Sequence, residues 1–378
     1  MKHAMVIKIR RLQMVPLTVP WILLHLGLAC GMPQIAATNI AFIQLPKNDH
    51  RRHSYCMSSH PIQHAIDVDI PIIYENDKLL AIEKPHNIPH HDSPSTGEMG
   101  LLSIIRHQQQ QPNPSFPYPN RLYGVHRLDR VTSGILLLAK DPATASALMN
   151  KFQKKEIQKY YMAISGKKPK KKKQGWVKGI MTMGRRGSYK LVNASKQPKE
   201  ADLREDGAEI AAGKKEDIGF AVTRFYTAGL GNLPFAATIS SSDGGTSQHD
   251  TKDDDRIVPK TAILFQPHTG KTHQLRVAAK SVSLPILGDD RYGGGRMDCP
   301  ADDGADEDDW DRTYLHASAI HFQLGENEDV TIWSPPPFGH LFPTANVKDV
   351  FVGLMEKHCD SDAILDAIRK DADSKING

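Results

Sequence analysis

The sequence predicts a domain of mixed α and β structure, on three observations. Short apolar runs are bounded by turn residues. Ile135–Ala139 follows Thr132-Ser133-Gly134, and Thr261–Gln266 is of the same kind. Runs this short and bounded read as buried strands rather than helices. Second, Lys159–Gly166 alternates, with Tyr160, Met162 and Ile164 on one side and Lys159, Tyr161 and Ala163 on the other. That period of two belongs to a strand, and the first set has the character of core. Third, Asp141-Pro142 opens a segment in which Leu148, Met149 and Phe152 share one helical face. Asp supplies an N-cap, and Pro fits the first helical position.

The 378 residues are 39% hydrophobic and 24% charged, enough for one large domain or two. Four cysteines stand far apart without a Cys-x-x-Cys pair. This speaks against a zinc knuckle or a disulfide framework and for a reducing compartment. The net charge of +5 is unevenly spread. Residues 243–256 hold five Asp against Lys252 and Arg256, and residues 297–311 hold eight Asp/Glu without Lys or Arg. The remaining body is correspondingly basic, which fits a polyanionic partner such as RNA.

Residues 1–48 carry five Lys/Arg and no acid. Their apolar stretch, Val15–Cys30, is broken by Pro16, Pro20 and His25 and is too short for a membrane span. A basic start, an apolar centre and the small residues Ala29-Cys30-Gly31 fit a secretory signal. The lack of acids fits a transit peptide equally well. For a protein acting on RNA, a mitochondrion or plastid is the expected destination, with the cytoplasm as the alternative. Residues 49–66 are His- and Ser-rich and complete a targeting and linker extension, 1–66. Its His50, His53, His60 and His64 lack a carboxylate or Cys at ligand spacing and are read as solvated.

The catalytic domain is expected over 67–342. Ile70–Tyr74 and Leu79–Lys84 read as strands around the turn Glu75-Asn76-Asp77-Lys78. Gln108–Pro119 is Gln- and Pro-rich and reads as a loop. Lys167–Lys173 packs six lysines around Pro169, a solvated loop by default. Gly184–Lys190 combines Arg185 and Arg186 with Tyr189, a mix of charge and stacking surface that suits RNA. Segments 193–218, 236–258 and 297–311 are expected to be disordered insertions. Ala221–Phe225 and Tyr314–Phe322 read as strands, and 343–378 as a helical tail.

Chemistry concentrates in the polar loop before Ile135: His126, Arg127, Asp129, Arg130, Thr132 and Ser133. A carboxylate between two arginines is favoured in its ionised form, which suits a nucleophile or base better than a general acid. The plain alternative is a surface ion-pair cluster. A Ser-His-Asp triad of His126, Asp129 and Ser133 competes poorly, because triad members converge from separate parts of a fold. Gly270-Lys271-Thr272 is no P-loop, since Phe265 stands where that motif needs glycine. His86, His90, His91 and Asp92 lack the second carboxylate of a metal site.

The run His-Arg-Leu-Asp-Arg-x-Thr-Ser-Gly, then Leu-Leu-Leu-Ala-Lys, at 126–140 resembles the signature of the RluA-type RNA pseudouridine synthases. Lys159-Tyr160-Tyr161-Met162-Ala163 is similar to the family's Lys-x-Tyr-x-Ala strand. Thr269–Arg276 is similar to its Thr-Gly-Arg-Thr-His-Gln-Leu-Arg motif, with Lys271 in place of arginine. Pro285–Asp289, Tyr292-Gly293 and Leu315-His316-Ala317 match the continuation. The opening loop departs at Asn87, where glycine is usual, and Ala278 stands where the family has His. The likeness spans roughly 67–340.

This resemblance implies the pseudouridine synthase α/β fold (α+β), a mixed, largely antiparallel sheet with flanking helices and a central catalytic cleft. It implies isomerisation of uridine to pseudouridine in ribosomal or transfer RNA. Asp129 would attack or deprotonate the sugar, Tyr161 would pack on the base, and Arg276 would keep Asp129 charged. Arg127 would fill the space of the flipped base. His126, Arg130, Lys159, Arg185, Arg186, Lys271 and His273 are the further expected RNA contacts. The reaction calls for no cofactor or metal, and a monomer is expected. Two rival classes are a catalytically dead RNA-binding factor and a metal-dependent hydrolase using the His-rich loops.

Overall fold

Strand β1 (Ile72–Glu75) turns through Asn76 into β2 (Leu79–Lys84). The Asn76 side chain accepts the backbone N–H groups of Lys78 and Leu79, at 3.0 and 2.8 Å, and so closes the turn. Every residue of β2 is buried, as befits a strand covered on both sides. The structure is a computed structural model. It describes residues 68–111, 121–192, 219–231, 259–295, 312–336 and 341–376, apart from 95, 171, 327 and 343. The expected targeting and linker extension and the three expected insertions lie outside the described residues.

Helix α1 (Leu101–Gln109) follows, then the short β3 (Tyr123–Gly124) and β4 (Ser133–Ala139). Helix α2 (Pro142–Lys154) begins as expected, with Asp141 accepting the Thr144 N–H at 2.8 Å and proline in the first turn. It ends where Lys155 turns left-handed, φ 62°. The chain continues through β5 (Gln158–Ser165), β6 (Gln174–Met183), β7 (Tyr189–Val192), β8 (Gly219–Gly229) and β9 (Thr261–Pro267). Helix α3 (Gln274–Ser281), β10 (Leu315–Gly325), β11 (Glu328–Trp333), α4 (Ala345–His358) and α5 (Asp362–Ile376) complete it. Among the described residues no helix is long and apolar enough to cross a membrane.

The strands form one mixed sheet in the order β1-β2-β4-β10-β5-β9-β8-β6-β7, with β11 on β10 and β3 on β4. Its pairs are antiparallel except β10 with β4, which touch in parallel at only two positions, His316–Ser133 and Ala317–Gly134. The mixed, largely antiparallel α+β architecture is therefore as the sequence implied.

Among the described residues, apolar clusters hold the helices to the sheet. One joins Tyr160, Met162 and Ile164 of β5 to Phe351, Leu354 and Met355 of α4 and Ile364 and Ile368 of α5. The terminal helices, expected as a tail, thus pack into the sheet's own core. A second cluster lies under α2, a third under α1, and a fourth under α3. Tyr161 is partly buried against both the α1 and the α3 clusters. It therefore lies where the two clusters meet.

Candidate active site

The loop 125–132 is pinned from both sides. Val125 is buried in the α2 cluster and Leu128 in the α1 cluster. A turn closes where Thr132 N–H donates to Asp129 C=O at 3.0 Å. Below it, the buried Lys84 ammonium donates to the carbonyls of Pro85 (2.7 Å), Arg130 (3.1 Å) and Thr132 (2.8 Å). Three acceptors match the three N–H bonds of the charged form. Burial nevertheless pushes the amine down to about 7, while the Asp129 charge opposes that shift. Asn87 adopts φ 63°. The left-handed turn thus survives the loss of the usual glycine, as Asn tolerates that region.

The loop ends where β4 meets β10. Gly134 has φ +109°, and a Cβ there would lie 2.3 Å from the Ala317 carbonyl oxygen. Only glycine permits both the conformation and the approach. Beside it, a buried polar network supports the junction. Arg312 donates to Ser133 Oγ, which also bonds His316 Nδ1 at 2.8 Å. His316 Nε2 lies 3.1 Å from the Ser334 carbonyl, and Ser334 Oγ donates to Glu83. Burial raises the Glu83 carboxyl to about 7, against the opposing Ser334 bond and Arg312 charge.

Asp129 emerges from this frame with its side chain 16% exposed. Its Oδ2 lies 3.7 Å from Arg276 Nη1. The sequence reading paired Arg276 with Asp129 alone, but the closer partner is Asp289. Arg276 Nε and Nη2 donate to the two Asp289 oxygens at 2.7 Å each, with both side chains buried. This bidentate clamp fixes the guanidinium and leaves Nη1 facing Asp129. Tyr292 packs its ring against Arg276, 4.9 Å from Cζ. The Tyr292 hydroxyl accepts the Tyr189 N–H at 3.0 Å and bonds His273 Nδ1 at 2.8 Å. His273 itself sits left-handed at φ 56°, just before α3. Burial lowers its pKa, and the nearby Asp129 charge raises it in part. Asp289 and Tyr292 were quoted in the sequence only as a motif continuation. It is the burial of Arg276 in α3, visible only in the structure, that calls for a carboxylate partner.

Tyr161 lines the same space. Burial, and then the Asp129 charge, pushes its phenol well above the ordinary tyrosine value, so it stays protonated. Arg127 is exposed beside Asp129 in the loop. Arg130 is exposed and paired with Glu98 at 2.7 Å. Lys271 is half-buried, and its backbone N–H donates to Gln274 Oε1 at 2.9 Å. Arg185 is exposed in a short 3-10 turn, whereas the Arg186 side chain lies outside the described residues.

Two of the residues expected to contact RNA make their contacts with α2. His126 turns inward. Its Nε2 accepts the Leu137 N–H at 2.9 Å and its ring stacks on Phe152 of α2 at 4.7 Å. Burial lowers it to about 3, so it is a neutral strut between loop and helix. Lys159 lies over the same Phe152 ring, 5.5 Å from Nζ to centroid, and burial lowers it to about 8. Both residues converge on α2 rather than on the space beside Asp129. The cause is tertiary: strand alternation puts Lys159 on the side of Tyr161, but the α2 cluster reaches that end of β5.

This arrangement sets a partly exposed carboxylate beside a clamped arginine and a tyrosine, with Arg127 and Arg130 exposed in the same loop. The RNA pseudouridylate synthase family model matches residues 78–281. An uncharacterized RNA pseudouridine synthase of Haemophilus influenzae is 30% identical over 261 residues, covering 69% of this chain and 85% of that protein. Ribosomal large subunit pseudouridine synthase C of Vibrio parahaemolyticus is 28% identical over 259 residues, 68% of this chain and 62% of that protein. The solved structure of human RNA Pseudouridylate Synthase Domain Containing 1 aligns with a TM-score of 0.46 at 18% identity, covering 78% of this chain and 97% of that one. The chain belongs to the RNA pseudouridylate synthase family, isomerases that convert uridine to pseudouridine in RNA.

Proposed function

We propose that this chain converts uridine to pseudouridine in ribosomal RNA, with Asp129 as the residue that attacks or deprotonates the sugar. The observation that carries the reading is the Asp129 carboxylate, 3.7 Å from an arginine clamped by Asp289. The bond from ribose C1′ to N1 of the base breaks, the base turns, and C5 joins C1′; the C5 proton passes to solvent and N1 takes up one proton, so the product is an isomer of the substrate. The target uridine must first leave its stack, at a cost of a few kcal/mol. Tyr161 receives the flipped base, and exposed Arg127 fills the gap it leaves. Ribosomal RNA is favoured over transfer RNA because several curated relatives are named for the ribosomal large subunit.

The Asp129→Asn variant removes the nucleophile and its charge but leaves the basic surface. It is expected to lose pseudouridine formation, followed as release of the C5 label from 5-tritiated uridine RNA, while RNA binding persists. Label release by the purified variant would sink the role of Asp129. Mapping pseudouridine in cellular RNA with and without the gene tests the target. A loss confined to transfer RNA would overturn the ribosomal assignment.

A further inference from the structure

Trp176 is 48% exposed on β6. Strand alternation sends Val177 into the α3 cluster and leaves Trp176 and Lys178 on the open side. The register places Trp176 opposite Arg224 of β8. Three nitrogenous side chains gather round the indole: Lys178 Nζ at 4.8 Å, Arg224 Cζ at 5.4 Å, and the His268 ring at 5.0 Å. Among the described residues a carboxylate, Asp360, lies 3.7 Å from Arg224.

The lysine-rich loop lies next along the chain. Its two ends are fixed, because Thr261 Oγ1 donates to the Lys167 carbonyl at 2.7 Å and Thr227 Oγ1 to the Lys173 carbonyl at 2.6 Å. Lys168, Lys173 and Lys260 line one open hollow there. Lys173 precedes Trp176 by three residues, about 10 Å along an extended chain.

An exposed ring among cations, beside an anchored row of lysines, is the pattern that holds single-stranded nucleic acid: bases stack on the aromatic and phosphates lie along the charge. A protein partner would match the apolar ring but not this surplus of positive charge. We propose that Trp176 is a stacking platform for an unpaired base of the RNA substrate outside the target uridine, with Lys168, Lys173 and Lys260 receiving its phosphates. This rests on the reading of the chain as an RNA-modifying enzyme and adds a second binding site to it.

The test compares wild type, Trp176→Ala and Trp176→Phe on an RNA substrate and on oligouridylate. Losing one base stack of about 1–3 kcal/mol corresponds to a roughly 5- to 140-fold rise in Kd and KM for Trp176→Ala. The kcat at saturating RNA should hold, and Trp176→Phe should recover most of the affinity. Oligouridylate should quench indole fluorescence in wild type and much less in Trp176→Phe. Changing Lys168, Lys173 and Lys260 to Gln should flatten the slope of log affinity against log salt by about 2. An unchanged Kd together with unchanged quenching would overturn the platform. Failure of the catalytic reading is separable: wild type would then form no pseudouridine in any RNA, while the Kd and quenching effects of Trp176 remained.

Discussion

Replacing Asp289 by Asn tests the clamp that sets the charge around Asp129. The two Arg276–Asp289 bonds are 2.7 Å each, and Asp289 is 1% exposed. Asn keeps the shape but loses the charge, and its amide can accept only one of the two donors. Arg276 is then a buried cation whose remaining carboxylate, Asp129, stands 3.7 Å away. Breaking a buried pair by removing one partner costs about 3–5 kcal/mol. For a domain of this size that is a fall in Tm on the order of 10 °C. The freed guanidinium should also swing toward Asp129 and lose its fixed position, lowering kcat more than it alters KM for RNA. Thermal unfolding by circular dichroism gives the first quantity, and label release from 5-tritiated RNA below the new Tm gives the second. A variant with wild-type Tm and wild-type kcat would show that the clamp neither stabilises the fold nor positions Arg276.

Gly134→Ala should destabilise by at least about 2–3 kcal/mol, since it strains the backbone at φ +109° and drives a Cβ to 2.3 Å from the Ala317 oxygen. An unchanged Tm would mean that β4 and β10 can part without cost. Acid stability should depend on His126. Its folded pKa of about 3 is below the ordinary 6.5, so the unfolded chain takes up the proton first and stability falls as pH drops below 6.5. In urea unfolding, the advantage of wild type over His126→Gln should shrink by about 2 kcal/mol between pH 7 and pH 5. A constant difference would mean that the imidazole is charged, or solvated, in the folded state.

Much of the fold was legible because local signals agreed with one another. The Asp141-Pro142 start, the alternation of Tyr160, Met162 and Ile164, and the apolar runs 135–139 and 261–266 all became the elements expected of them. Strands β6, β7 and β11 and helices α1 and α3 were not foreseen. Their patterns are short or are diluted by Gly, Lys, Gln or acidic residues, and packing against the sheet supports them. The packing of His126 and Lys159 was not legible for a related reason: charge type says what a side chain can do, and only the approach of α2 says which way it faces.

By itself, then, the sequence determined the class of the chain, the loop that bears Asp129 and the strand that bears Tyr161, because each is a contiguous run of residues. The tertiary structure decided the partnership around the carboxylate. Arg276 is 147 positions from Asp129 and 13 from Asp289, and either carboxylate would satisfy its charge. The choice falls to geometry: α3 aims two of its donors at the buried Asp289 and leaves one for Asp129, a carboxylate that stays partly exposed.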